Sequence, residues 1–140
     1  MVGLPGAGKS QYLASIGAHA ISSDALRLLL ADDEAEQSIN GRVFAAARYL
    51  VCHRLELRRP VTYVDATNLI RRDRRGWIEV ARQLDCRVEA LWVNVPLTVC
   101  KQRNAARART VPAHVLDLMA AKFIPPSVEE GFDTIGILDA

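Results

Sequence analysis

The chain has 140 residues, which fits a single domain; half of these residues are hydrophobic and 24% are charged. This balance is typical of a folded globular protein and excludes a disordered polyelectrolyte. The formal net charge is only +2, so the molecule as a whole is not a strongly basic binder of polyanions. No apolar run approaches the roughly 18 residues of a membrane-spanning helix, so we expect no membrane partner. The three cysteines are too far apart for a CxxC pair and fit reduced thiols, so we expect a cytoplasmic protein.

A glycine-rich motif lies near the start of the chain. Residues 3–10 read Gly-Leu-Pro-Gly-Ala-Gly-Lys-Ser, which completes the G-x-x-x-x-G-K-[ST] phosphate-binding pattern. In this pattern backbone N–H groups surround a phosphate, the lysine reaches the β- and γ-phosphates, and the hydroxyl ligates Mg²⁺. We therefore expect a bound nucleoside triphosphate and Mg²⁺, with Lys9 also catalytic. The expected nucleotide-binding residues are Gly3, Gly6, Ala7, Gly8, Lys9, Ser10 and Gln11.

Only Met1 and Val2 precede this loop. A phosphate-binding loop normally follows a buried strand of about five residues. We therefore expect one domain over residues 1–140 whose first strand is truncated at the N-terminus.

Helical and strand patterns alternate along the rest of the chain. Helices are predicted over 9–16, 24–30, 39–57, 71–84, 96–108 and 112–123, and strands over 20–22, 61–65, 87–95 and 132–138. This alternation predicts an α/β fold with helices layered on a parallel sheet. Ligands of such sheets bind beyond the carboxyl ends of the strands, so polar residues at those ends are the candidate site.

Asp24 follows the strand 20–22 on the ligand side, and Arg27 lies one helical turn later on the same face. The carboxylate can take the proton of an attacking hydroxyl as a general base, and the arginine can bind a substrate phosphate. The alternative is that Ser23 or Asp24 caps the helix and that Asp24 and Arg27 form a surface ion pair.

Asp65 ends the apolar strand 61–65, where nucleotide-binding proteins carry a second acidic residue, and is expected to hold Mg²⁺ with Ser10. Thr67 and Asn68 follow in a turn. They are candidates for acceptor binding, although both residue types also commonly cap helices.

Arginines cluster at 71–75 and at 103–109. Arg103 and Arg107 are i,i+4 neighbours on the predicted helix 96–108, and Arg109 follows just beyond it. A lid that closes these side chains over a triphosphate would neutralise charge developing on the transferred group. The alternative for both clusters is a basic helix face exposed to solvent.

Cysteines and histidines do not form a site pattern. The cysteines are too far apart for a CxxC pair and fit reduced, partly buried thiols, and the histidines lack the spacing of metal ligands. Trp77 and Trp92 lie in apolar patterns that favour core positions.

Four segments together resemble the polynucleotide 5′-kinase family, most closely the kinase domain of bacterial RNA-repair polynucleotide kinases. They are the loop 3–10, Ile-Ser-Ser-Asp-Ala-Leu-Arg at 21–27, Val-Asp-Ala-Thr-Asn at 64–68 and Cys-Lys-Gln-Arg-Asn-Ala-Ala-Arg at 100–107. The resemblance spans essentially the whole chain. It implies a P-loop kinase-like three-layer sandwich with about five parallel strands and a helical lid.

The same resemblance implies ATP- and Mg²⁺-dependent transfer to the 5′-hydroxyl end of a polynucleotide. It places Asp24 as the base, Arg27 on the acceptor phosphate, and Arg103 and Arg107 in the lid. Segments 110–112 and 125–133 look more like stand-alone bacterial ATP-binding proteins of unproven substrate.

Two alternatives therefore stay open: a kinase of a small alcohol, such as a sugar acid, nucleoside or antibiotic, and a nucleotide-dependent switch. The absence of an Asn-Lys-x-Asp guanine motif and the presence of Asp24 disfavour the switch.

Overall fold

A computed structural model describes residues 1–139 and contains every predicted helix and strand. Most ends lie within two residues of the predicted ones. The elements are α1 Lys9–Ser15, β1 Ala20–Ser22, α2 Ser23–Ala31, α3 Asn40–Glu56, β2 Tyr63–Asp65, α4 Arg71–Gln83, β3 Glu89–Asn94, α5 Leu97–Ala105, α6 Ala113–Lys122, a 3₁₀ turn Val128–Glu130 and β4 Thr134–Asp139. No helix of this described part is long and apolar enough to cross a membrane.

The strands form two parallel pairs that the N-terminal segment joins. β1 pairs with β2, and β3 pairs with β4. The backbone nitrogen of Met1 donates to the Val64 carbonyl at 2.9 Å, while Val2 exchanges hydrogen bonds with the β3 backbone at 2.8 and 2.9 Å. The order is therefore β1, β2, residues 1–3, β3, β4, which confirms the predicted parallel sheet of about five strands.

Successive side chains of this central segment lie on opposite faces of the sheet, and each face is covered by a layer of helices. Met1 packs with Leu13 of α1 and Cys100 of α5 on one face of the sheet. Val2 packs with Ile78 of α4 on the other face, which α3 also covers. Helices on both faces explain why residues 1–2 and the interior of β3 are apolar and buried or partly buried, and they confirm the three layers.

One arginine of the 71–75 cluster is in the core. Arg74 is 1% exposed, and its Nε and Nη2 donate to the carboxylate of Glu130 at 2.8 and 2.7 Å. Its Nη1 donates to the carbonyls of Asn68 and Ile124 at 3.0 and 2.9 Å. Arg74 thus ties α4 to the turn after β2 and to the chain before β4, whereas Arg71, Arg72 and Arg75 are exposed.

Candidate active site

The glycine-rich loop turns tightly over α5. Gly6 has a φ of 82°, and a Cβ at this position would overlap the carbonyl oxygen of Cys100. Gly8 has a φ of 105° and precedes α1. Only glycine adopts such backbone freely, so these positions need glycine for the curvature that turns N–H groups toward a phosphate.

Lys9 folds back along the same loop. Its Nζ donates to the carbonyls of Gly3 and Leu4 at 2.9 and 2.8 Å, and the side chain is buried. Burial lowers the pKa of Lys9 to about 8, against the opposing effect of the Asp65 carboxylate. A polyphosphate bound in the loop would place negative charge beside Lys9 and so favour the ammonium form of its side chain.

Ser10 and Asp65 meet at the carboxyl edge of the sheet. The Ser10 hydroxyl donates to Asp65 Oδ2 at 2.6 Å, although the residues are 55 apart in sequence. These are two oxygen donors of the kind that Mg²⁺ prefers, and Mg²⁺ in nucleotide sites takes its remaining ligands from phosphates and water. Among residues 1–139 no cluster of three or more His, Cys, Asp or Glu offers an all-protein metal site. The pair therefore fits a nucleotide-dependent Mg²⁺ rather than a resident structural metal.

Asp24 is not the cap of α2. The N-cap is Ser22, whose hydroxyl accepts from the Ala25 amide at 3.3 Å, so the prediction of Ser23 or Asp24 as the cap is wrong. The predicted helix start was one residue late because Ser22 and Ser23 are both good caps and only the extended backbone of Ser22 decides between them. The Asp24 carboxylate is therefore not used by the helix end.

Arg27 fixes the carboxylate of Asp24 from inside the protein. Its Nη1 donates to Asp24 Oδ1 at 2.7 Å, and its Nε and Nη2 donate to Asn40 Oδ1 at 3.1 and 2.8 Å. Arg27 is buried while Asp24 is half-exposed, so the expected surface ion pair is in fact an anchored one. The role of Arg27 on the acceptor phosphate stays a prediction.

The predicted lid helix is shorter than expected. α5 ends at Ala105, so Arg103 lies on the helix and Arg107 lies in the turn after it; the assignment of both to one helix is wrong. The cause is Asn104, which is buried and exchanges two hydrogen bonds with the backbone of Val111, at 2.8 and 3.0 Å. These bonds close residues 105–110 into a loop.

Two arginines of this region are near the phosphate-binding loop. Nη1 of Arg103 donates to the Ala7 carbonyl at 3.2 Å, and Arg107 is near enough to Lys9 for its charge to lower the lysine's pKa. The structure therefore shows Arg103, of the two predicted lid arginines, in contact with the loop. Their catalytic role stays a prediction.

The remaining candidates are placed differently. The Thr67 carbonyl accepts from the Gly3 amide at 3.0 Å, so this residue borders the loop, and Gln11 is exposed on α1. The Asn68 amide group donates to the Met1 carbonyl and accepts from Trp77 Nε1, both within the interior. These contacts are those of a structural clamp, and acceptor binding by Thr67 and Asn68 stays a prediction.

Sequence reasoning missed one contact beside Asp24. Nη1 of Arg109 lies 3.6 Å from Asp24 Oδ2 and 3.4 Å from Glu34 Oε2, in the loop between α2 and α3. The sequence predicts Arg109 only as an arginine just beyond the lid helix and assigns no role to Glu34. No periodicity links positions 24, 34 and 109, so only the fold reveals the cluster.

A cavity of about 570 Å³ lies away from this site. Tyr63, Glu89 and Ala90 at the amino ends of β2 and β3 are among its lining residues. Ligands of parallel sheets bind at the carboxyl ends, where the Ser10–Asp65 pair lies and where Asp24 follows β1. We therefore place the candidate active site at the carboxyl edge.

Known proteins share this architecture. A family model described as "AAA domain" matches residues 1–126. The L-seryl-tRNA(Sec) kinase of Methanococcus maripaludis is 24% identical over an alignment of length 140 that covers 95% of this chain; the chain spans only 54% of the length of that relative.

A solved structure of a gluconokinase from Sinorhizobium meliloti 1021 superimposes with a TM-score of 0.64 at 19% identity, covering 99% of this chain and 79% of that one. At this identity the likeness concerns the fold. Since the family model covers most of the sequence, the chain belongs to the AAA domain family and has a P-loop kinase-like α/β fold.

Proposed function

We propose that the protein is an ATP- and Mg²⁺-dependent phosphotransferase that phosphorylates a hydroxyl group. The observation that carries this proposal is the position of Asp24. Its carboxylate is half-exposed, fixed by Arg27, and not used as the helix cap, which is Ser22. It lies two residues beyond Ser22, which pairs with Asp65, the residue that accepts from Ser10. A carboxylate held in this way supplies the general base that transfer to a hydroxyl requires.

The transfer step follows from these positions. The acceptor oxygen forms a bond to the γ-phosphorus, the bond from that phosphorus to the β–γ bridging oxygen breaks, and ADP leaves. Asp24 takes the hydroxyl proton, while Lys9, Arg103 and Arg107 offset negative charge on the phosphoryl oxygens. Bound Mg²⁺ would neutralise phosphate charge, and Ser10 and Asp65 would hold it.

Our first candidate for the acceptor is the 5′-hydroxyl end of a polynucleotide. The support is the motif set around Asp24, Asp65 and Arg103 described above. A small-molecule alcohol is the second candidate, supported by the fold shared with a gluconokinase. The relative named as a seryl-tRNA kinase is compatible with a hydroxyl on either kind of molecule.

The test is transfer from γ-labelled ATP to a panel of acceptors: RNA and DNA with 5′-hydroxyl ends, gluconate, and a nucleoside. We expect Asp24→Asn to bind ATP normally and to transfer at least ~10²-fold more slowly, because an amide cannot take the proton. The amide oxygen still accepts from Arg27, which preserves the local geometry.

Asp85→Asn is the matched control, since Asp85 is exposed in the turn after α4, at the opposite edge of the sheet. Its transfer rate should equal that of the wild type. Full activity of Asp24→Asn would refute the base assignment. A wild-type protein that binds ATP but phosphorylates no acceptor would favour the switch.

A further inference from the structure

Three charged side chains from separate segments meet beside the proposed base. Arg109 lies between Asp24 and Glu34, with Nη1 at 3.6 Å from Asp24 Oδ2 and 3.4 Å from Glu34 Oε2. Strong charge-assisted N–H···O bonds are about 2.7–2.9 Å long, so this guanidinium is shared and held loosely. The side chains are 37% exposed for Arg109, 49% for Asp24 and 44% for Glu34, so the cluster is open to solvent.

The second arginine that contacts Asp24 is Arg27, and it is buried and held firmly. Arg27 is buried and commits Nε, Nη1 and Nη2 to hydrogen bonds of 2.7–3.1 Å with Asp24 and Asn40. It acts as a positioning residue for Oδ1 of Asp24. Oδ2 of the same carboxylate is the oxygen that faces Arg109.

This arrangement constrains what can approach the base. A hydroxyl that gives its proton to Oδ2 of Asp24 must contact that oxygen, which places the rest of the acceptor within a few ångströms of Arg109. An acceptor in this position meets the guanidinium of Arg109. A guanidinium binds carboxylate and phosphate groups most strongly.

We propose that Arg109 binds an anionic group of the acceptor, and that Glu34 holds this position until the acceptor displaces it. The proposal rests on the proposed kinase function and narrows its acceptor class to hydroxyl compounds that carry a carboxylate or a phosphate. A neutral alcohol leaves Arg109 on Glu34 and gains nothing from the contact.

The experiment compares two matched pairs of acceptors. Gluconate and sorbitol differ by a carboxylate, and adenosine 3′-phosphate and adenosine differ by a phosphate. We would measure kcat and KM for the wild type, Arg109→Ala, Arg109→Lys and Glu34→Gln, with Arg87→Ala as control. Arg87 is an exposed arginine that pairs with Glu89 at the start of β3.

We expect the wild type to prefer the charged member of at least one pair. Arg109→Ala should raise KM for that acceptor about 10- to 100-fold, the range for loss of a hydrogen bond to a charged group. Arg109→Lys should restore part of the loss, since lysine keeps the charge but not the two-pronged geometry.

Glu34→Gln should instead lower KM for the charged acceptor, because it removes the competing carboxylate. In the Arg109→Ala background this gain should disappear, since both residues act through one contact. For every variant, KM for ATP should match that of the wild type. In the control Arg87→Ala, kcat and KM for the acceptors should match as well. Circular dichroism of each variant checks that it is folded.

The failures are distinguishable. If the wild type binds ATP but phosphorylates neither these four compounds nor the RNA and DNA ends, the proposed function is overturned and this proposal with it. If it phosphorylates only RNA or DNA ends, an unchanged KM for those ends in Arg109→Ala overturns the role of Arg109. If transfer occurs but Arg109→Ala changes KM equally for charged and neutral members, or for neither, only the role of Arg109 is overturned. A higher KM in Glu34→Gln would overturn the displacement of Glu34.

Discussion

The ion pair between Arg74 and Glu130 yields a quantitative prediction about stability. Glu130→Gln changes neither size nor shape but removes the charge opposite a guanidinium that is 1% exposed. Breaking a buried pair by neutralising one partner costs about 3–5 kcal/mol, because the remaining charge is left in the interior. For a chain of this size the cost corresponds to a melting temperature lower by about 10–15 °C.

Glu89→Gln is the matched control, because Glu89 pairs with Arg87 where the side chains are 56% and 72% exposed. A surface pair of this kind contributes at most about 1 kcal/mol. Urea unfolding followed by circular dichroism measures both variants. If Glu130→Gln is no less stable than Glu89→Gln, the pair does not hold the fold together as argued.

The same pair predicts how acid affects the protein. Burial raises the pKa of Glu130, but hydrogen bonds from Arg74 and the Ser127 amide, with the charges of Arg74 and Arg71, lower it by more. The pKa in the folded state is therefore below the unfolded value of 4.5. The stabilisation is present above that value and is lost as the pH falls through the folded pKa. Acid should destabilise the wild type more than Glu130→Gln.

Four further predictions concern the phosphate-binding loop and the lid. Lys9→Ala should slow transfer by about 10²–10³-fold, as loss of one preorganised charge does, and unchanged turnover would contradict its role. In the wild type, ATP affinity should fall as the pH rises through the lysine's pKa of about 8, and a dissociation constant that is flat from pH 7 to 9.5 would contradict this. Gly6→Ala should abolish ATP binding in calorimetry, because its Cβ would overlap the Cys100 carbonyl. Asn104→Ala should lower stability by about 1–3 kcal/mol in urea unfolding by freeing the buried Val111 contacts, and an unchanged midpoint would refute that clamp.

Features that depend on neighbouring residues were predictable from the sequence. The phosphate-binding loop is a continuous motif, and the order of helices and strands follows from local periodicity and breaks at prolines. The pairing of Ser10 with Asp65 was expected as well, because carboxyl ends of parallel strands share one edge of the sheet. The predicted end of α5 was wrong. The helix ends where the Asn104 side chain bonds to the Val111 backbone across a turn, and helical periodicity does not report such a contact.

The tertiary structure alone decided which charges face each other. Arg74 lies among exposed arginines in the sequence, and only the packing of residue 130 against α4 distinguishes it as buried. Arg109 and Glu34 are 75 residues apart, and their meeting at Asp24 depends on how the lid segment crosses the end of α2. Sequence patterns report which side chains are available within one element, whereas burial and long-range charge pairing depend on how the elements pack.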